Sequence, residues 1–155
     1  MPSCGYLRYM TIVFTLCLPR DRSSVPVVRH LFRDSMNRLG VEAECIDDME
    51  LAVTEACTNV LLHASDTKDE YEVAVEVNEK LCEIKVMDTG QGFDQESLAG
   101  QVDSSAESGR GIQLMNALVD RVQFVSRPQD GTIVHLVKEL ALAENSALRT
   151  LAGST

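Results

Sequence analysis

The segment from Tyr71 to Met87 constrains the fold of this chain most. Tyr71, Val73, Val75 and Val77 alternate with Glu72, Ala74 and Glu76. A period of two with apolar residues on one side reads as a strand with one wet face. Leu81 to Met87 reads as a second strand, and only Asn78-Glu79-Lys80 separates the two. So short a connection makes the pair an antiparallel hairpin. Its dry face needs a cover, and the rest of the chain offers helices.

Met10 to Leu18 is β-branched and aromatic and reads as an earlier strand, ended by Pro19-Arg20-Asp21-Arg22. Ser23 or Ser24 caps a helix running to about Leu39, with Pro26 in its first turn and Gly40 after its end. Val27, Val28, Leu31, Phe32, Met36 and Leu39 supply its apolar side. A second helix spans Asp47 to about Ser65. Ile46 just before it and Met49, Val53, Ala56 and Val60 within it recur at three- and four-residue steps. Asp47 is read as its N-cap, with Glu50 at capping-box spacing. Asp66 to Asp69 reads as a polar turn. Small polar residues from Asp94 to Ser108 read as a mobile lid. A helix from about Ile112 to Asp120 follows, with Leu114, Met115 and Leu118 inward. Strands Arg121 to Ser126 and Thr132 to Val137 flank the turn Pro128-Gln129-Asp130-Gly131. Ala141 to Thr155 reads as a weak terminal helix fading into a loose tail. This order predicts an α/β chain of the α+β kind. It is a two-layer sandwich with a mixed, mostly antiparallel sheet and helices on one face. The expected organisation is an extension at 1–9, one domain at 10–140 and a tail at 141–155.

The 155 residues suit one domain with one core. With 24 acidic and 14 basic residues the formal charge is −10, which argues against a nucleic-acid backbone as a direct partner. Aromatics at 5% and the absence of Trp leave no platform for stacking bases. Cys4, Cys17, Cys45, Cys57 and Cys82 are scattered without a C-x-x-C pair, so a reduced, cytoplasmic setting is the simplest reading. Tyr9 to Leu18 lacks a cleavage site and is too short to span a bilayer, so no membrane role is expected.

Three local patterns carry chemistry. Glu55 and Asn59 lie four apart, on one face of the second helix. A carboxylate accepts a proton, and an amide oxygen ligates a hard cation such as Mg²⁺. The plain alternative is an exposed polar strip. Asp88-x-Gly90-x-Gly92 closes a strand, where the aspartate can accept from an exocyclic amine and the glycines let backbone approach a flat ligand. The plain alternative is a turn. Gly109-x-Gly111 precedes the expected helix at Ile112, and free N–H groups at a helix start suit phosphate. No Lys-Ser or Lys-Thr follows, so it is not a Walker A loop.

In this order the patterns resemble the GHKL ATPases, the Bergerat-fold superfamily that includes gyrase B and the histidine kinases. Glu55-x-x-x-Asn59 is similar to their asparagine box. Asp88-x-Gly90-x-Gly92 and Ser108-Gly109-Arg110-Gly111 are similar to their two glycine boxes. Gly131-Thr132 is similar to their last adenine-side motif, and the likeness spans roughly Met10 to Leu140. Among these families the small chain with Leu51-Ala52-Val53-Thr54-Glu55-Ala56-Cys57-Thr58-Asn59 most resembles the bacterial anti-sigma factor serine/threonine kinases. The resemblance implies an anti-sigma factor that sequesters a sigma factor. It also implies an ATP-dependent kinase that phosphorylates a small anti-sigma-factor antagonist in a partner switch. Its cofactors would be ATP and Mg²⁺, and a homodimer is implied. It further implies that Asn59 holds Mg²⁺ between the phosphates, that Asp88 binds the adenine amine with support from Thr132, and that Gly90 and Gly92 shape the adenine pocket. Gly109 and Gly111 would hinge the lid and present amides to phosphate. Arg110 would belong to the nucleotide-binding set, and Glu55 would be the base.

Other readings stand beside this one. A nucleotide-binding anti-sigma or signalling module without kinase activity keeps every motif, and the stretch from Asp94 to Ser108 contains no Lys or Arg. Asp88-Thr89-Gly90 also matches the aspartic-protease triplet, but two helices precede it and Gln91-Gly92 follow it. Arg29 and Arg33 are expected to face a partner, with ordinary solvation as the alternative. His63, four residues after Asn59, reads as a site neighbour or as a packed helix-end residue.

Overall fold

The computed structural model describes residues 10–63, 70–88, 106–127 and 131–153. Among these residues the order is β1 (Ile12–Pro19), α1 (Ser24–Arg38), α2 (Ala43–His63), β2 (Glu70–Val77), β3 (Leu81–Met87), α3 (Ala106–Leu118), β4 (Arg121–Arg127), β5 (Gly131–Glu139) and α4 (Ala147–Gly153). The strands form one sheet in the order β1-β2-β3-β5-β4, and each neighbouring pair is antiparallel. The expected mixed sheet is corrected to this. β4 runs in the same sense as β3, but β5 is inserted between them, so the crossover through α3 makes no parallel pair.

The hairpin reads out as its alternation predicts. Tyr71, Val73, Val75 and Val77 are buried, as are Cys82, Ile84 and Val86 opposite them. The Asn78 side-chain oxygen accepts from the Lys80 and Leu81 N–H groups at 2.7 and 2.8 Å, which closes the turn. α2 lies on this dry face. Its predicted stripe of Ile46, Met49, Val53, Ala56 and Val60 is fully buried, and Ala52 and Cys57 widen it.

Three expectations about helices fail for tertiary reasons. Asp47 and Glu50 do not cap α2, which starts a turn earlier at Ala43. The approach to that start is held elsewhere: Val41 pairs with Leu142, and the Glu42 N–H donates to the Ala141 carbonyl at 2.8 Å. The two acids instead meet α1. Arg33 bonds both Asp47 and Glu50, and Arg29 reaches Glu50 at 3.3 Å. In α1 the core stripe is Val28, Phe32 and Met36, so Val27 and Leu31, turned by about 100°, stand 46% and 43% exposed. Likewise α3 buries Met115 and leaves Leu114 40% exposed.

Ser23 makes no side-chain cap on α1. The Asp21 carboxylate accepts from the Ser23 N–H at 3.0 Å and the Asp21 carbonyl from the Ser24 hydroxyl at 2.6 Å. The other end of α1 is a Schellman turn: Val41 N–H donates to Met36 O and Gly40 N–H to Asn37 O, both at 3.1 Å. Gly40 has φ 79°, and a Cβ there would lie 2.6 Å from the Ser146 Cα. Residues 141–149 are therefore no loose tail, because Leu148 is buried and the Ser146 hydroxyl donates to the Leu39 carbonyl at 2.5 Å. Gly40→Ala is expected to destabilise the fold by about 2–4 kcal/mol, from a left-handed backbone plus a backbone clash. A urea midpoint within about 0.2 M of wild type would contradict that.

Candidate functional site

The direction of α2 decides what meets what. Its first turns lie over the C-terminal end of β5, where Cys45 approaches the Glu139 carbonyl at 3.9 Å and Asp48 approaches Lys138 at 3.8 Å. α2 packs along β3 and β5. Asn59 stands 11 residues beyond Asp48, about 16 Å along a helix. Thr132 stands six residues before Lys138, about 20 Å along a strand. The C-terminal half of α2 and the Asp88–Thr132 end of the sheet thus share one end of the molecule.

Two clusters form there. In the first, Asn59 is buried at 6% exposure and Glu55 is half-buried one turn earlier. Gly111 of α3 sits against both. A Cβ at Gly111 would lie 2.9 Å from the Asn59 amide nitrogen, 3.3 Å from its oxygen and 3.4 Å from a Glu55 carboxylate oxygen. Any side chain at 111 would occupy the space in front of the pair. In the second cluster Asp88 is 1% exposed. Its Oδ1 accepts from the Thr132 N–H, and its own N–H donates to the Thr132 carbonyl at 3.1 Å. This reciprocal pairing continues the β3–β5 ladder by one residue and locks the aspartate in place.

Each cluster holds one buried polar atom with no hydrogen-bond partner among the described residues: Asn59 Nδ2 and Asp88 Oδ2. Such atoms cost on the order of 1–3 kcal/mol each if left unmet, so they mark where an outside group fits. Asp88 offers an acceptor suited to an amine. The Asn59 amide presents its carbonyl oxygen in the same place after a flip, which suits a hard cation.

The glycine pair before α3 needs correction. α3 starts at Ala106, so Gly109, Arg110 and Gly111 lie inside it. The Gly111 N–H then points along the helix axis, and the glycine contributes clearance in place of a free amide. A glycine lacks the Cβ that would otherwise keep the two helices apart here. Thr132 contacts Asp88 through both of its backbone groups. Gly90, Gly92 and the turn from Asp66 to Asp69 fall outside the described residues, as do the side chains of Arg110 and His63; of the expected lid from Asp94 to Ser108, the part through Ser105 also falls outside, and Ala106 to Ser108 belong to α3. A cavity of about 760 Å³ by the Asn78–Leu81 turn lies at the other end of the sheet and takes no part in this site.

Arg29 and Arg33, expected on a partner face, are half-exposed and already paired with Glu50 and Asp47 of the same chain. That leaves their outward edges available and their charge partly met.

The family described as histidine kinase-like ATPase domain matches residues 18–138. A serine-protein kinase RsbW of Halalkalibacterium halodurans is 34% identical over 134 residues, covering 81% of this chain and 82% of that protein. One of Bacillus pumilus is 38% identical over 136 residues, covering 79% and 83%. Among solved structures, that of the RsbU and RsbW domains of a Mycobacterium tuberculosis protein superposes with a TM-score of 0.63 at 20% identity. It covers 83% of this chain and 32% of that one, a likeness of fold.

Proposed function

The chain belongs to the histidine kinase-like ATPase family, and within it to the RsbW group of serine-protein kinases; on that premise we propose that it is an anti-sigma factor and ATP-dependent serine/threonine protein kinase. It sequesters a sigma factor and phosphorylates an anti-sigma-factor antagonist in a partner switch. The observation that carries this reading is the pair of unmet buried atoms, Asn59 Nδ2 and Asp88 Oδ2, at one end of the sheet. Asp88 accepts a hydrogen bond from the adenine amine, with Thr132 fixing its carboxylate from behind. Asn59 would hold Mg²⁺ through its amide oxygen. When bound, Mg²⁺ neutralises charge on the phosphates. Glu55, one turn before Asn59, takes the proton of the incoming serine or threonine hydroxyl. Gly111 leaves room between α3 and that pair, and Gly90, Gly92, Gly109 and Arg110 complete the nucleotide set. The working unit is the fold from residue 10 through the packed segment at 141–149, acting in the cytoplasm as a homodimer, without direct contact to nucleic acid or membrane.

The test is transfer of label from γ-labelled ATP to a purified antagonist, with retention of a sigma factor on the same protein by size exclusion. Neither transfer nor retention by folded protein would overturn the proposal.

Arg29 and Arg33 are the cations of α1 that a partner would meet. Reversing their charge would place new carboxylates beside Glu50 and Asp47 and disturb the α1–α2 contact, so neutral variants are cleaner. Arg29→Gln with Arg33→Gln is expected to weaken sigma-factor binding about tenfold with ATP affinity unchanged. Equal sigma-factor affinity in a surface-binding titration would remove α1 from the partner face.

A further inference from the structure

The two most exposed leucines among the described residues bracket Glu55. Leu51 and Leu62 are 52% and 66% exposed. At about 100° per residue they stand about 40° and about 20° round α2 from Glu55, so the three side chains share one outward face. Leu51 precedes Glu55 by about 6 Å along the axis, and Leu62 follows it by about 10 Å. The threonines between them add little polarity. The Thr54 and Thr58 hydroxyls donate back to the Glu50 and Thr54 carbonyls, each at 2.8 Å, and are turned into the helix.

Beside this face, between α2 and the segment joining β1 to α1, lies a groove of about 640 Å³ lined by Arg20, Arg22, Val25, Thr58, Leu61 and Leu62. Thr58 and Leu62 belong to both, so they form the ridge between the groove and Glu55. The two arginines differ in what they do. Arg20 donates from its guanidinium to the Leu61 carbonyl at 3.1 Å, one of the last four carbonyls that the helix leaves unpaired. Arg22 is exposed, and its guanidinium makes no ion pair among the described residues. The chain carries a formal charge of −10, yet this lining holds two cations and no carboxylate. An acidic segment repelled by most of the surface is therefore attracted here.

We propose that this groove and the leucines beside it dock the acceptor segment of the antagonist: an extended stretch with an apolar residue on each side of its serine or threonine and a carboxylate at the Arg22 end. The identity of the occupant rests on the kinase reading. An acceptor must bring its hydroxyl to about 3 Å from the base, so its flanking residues necessarily pass over the face that carries Glu55. A sigma factor has no such need. The lengths agree as well. Leu51 to Leu62 spans about 16 Å, which an extended chain covers in about five residues. A hydroxyl presented to Glu55 then has its apolar neighbours within about four positions on either side.

The test varies the concentration of purified antagonist in the label-transfer assay at saturating Mg·ATP. It compares wild type with Leu51→Ser, Leu62→Ser and Arg22→Gln, all at exposed positions outside the core. Each leucine variant is expected to raise KM for the antagonist about tenfold. Arg22→Gln raises it about fivefold and flattens its dependence on salt. In all three, kcat, ATP affinity and sigma-factor retention stay within about twofold of wild type. Antagonist affinity is also titrated in a Glu55→Ala background, where transfer is slow, and falls by the same factors. Unchanged KM and affinity, or a loss confined to kcat, overturns the inference. Loss of sigma-factor retention with antagonist affinity intact gives the groove to the sigma factor and overturns it too. A wild type that transfers no phosphate, yet binds the antagonist more tightly than the variants do, overturns the kinase reading and supports the docking site.

Discussion

Asp88→Asn is expected to abolish measurable nucleotide binding in a protein that still folds. Asp88 uses one carboxylate oxygen on the Thr132 N–H and keeps the other buried and unmet. Asparagine is nearly isosteric, so packing at 1% exposure is preserved. It can keep the amide oxygen on Thr132 and must then turn an NH₂ toward the adenine amine. Two donors face each other where a charge-assisted bond should form. Losing a bond to a charged group costs about 1.5–3 kcal/mol, and the facing donors add to that. At 1.4 kcal/mol per decade the lost bond alone lowers the affinity by about one to two orders of magnitude, and the facing donors lower it further. Calorimetric titration with Mg·ATP measures it directly. Wild-type heats that persist in a folded Asp88→Asn protein would place the base elsewhere. The opposite assignment, with Thr132 reached by its amide nitrogen, is closed because the Thr132 N–H is itself a donor.

Glu55→Ala should separate binding from chemistry. Glu55 is half-buried and sits one turn from Asn59, beside the clearance that Gly111 leaves. Removing a general base of this kind costs on the order of 10²–10⁴ in rate. Binding of Mg·ATP depends on Asp88 and Asn59 and should change little. Label transfer to an antagonist falls by that factor while the calorimetric affinity stays within about threefold. Transfer that survives in Glu55→Ala would assign the base to another group. Binding with no transfer even in wild type would favour the plain nucleotide-binding module.

Periodic segments were legible from sequence and singular ones were not. The alternation of Tyr71 to Val77 and the α2 stripe both repeat a local rule many times, so tertiary context had little to change. Asp47 and Glu50 were misread because a capping box and an interhelical ion pair use the same residue types. Arg33, distant in sequence, settles the choice. Gly109 and Gly111 were misread for a similar reason. Glycine before an apolar run reads as a helix start, whereas the fold needs a helix without a Cβ where it crosses Asn59. The Asp88–Thr132 pairing was half legible: the residues were marked by motif, but the strand register that brings them together is a property of β5 being inserted beside β3.

The clamp at Gly40 has a meaning for how the protein is made. Ser146 bonds a carbonyl 107 positions upstream, and Ala141 and Ala143 bond the same corner. At roughly 5–20 residues per second, α1 and α2 wait on the order of 5–20 s after synthesis before that fastening exists. During this interval both helices can collapse on each other, but the corner joining them is open to water and to other chains. The site on α2 is therefore among the last parts of the molecule to become rigid on the ribosome, although its residues are made early. A nascent chain stalled short of residue 141 carries Glu55, Asn59, Asp88 and Thr132 and still lacks the fastener of the helix pair that presents the first two.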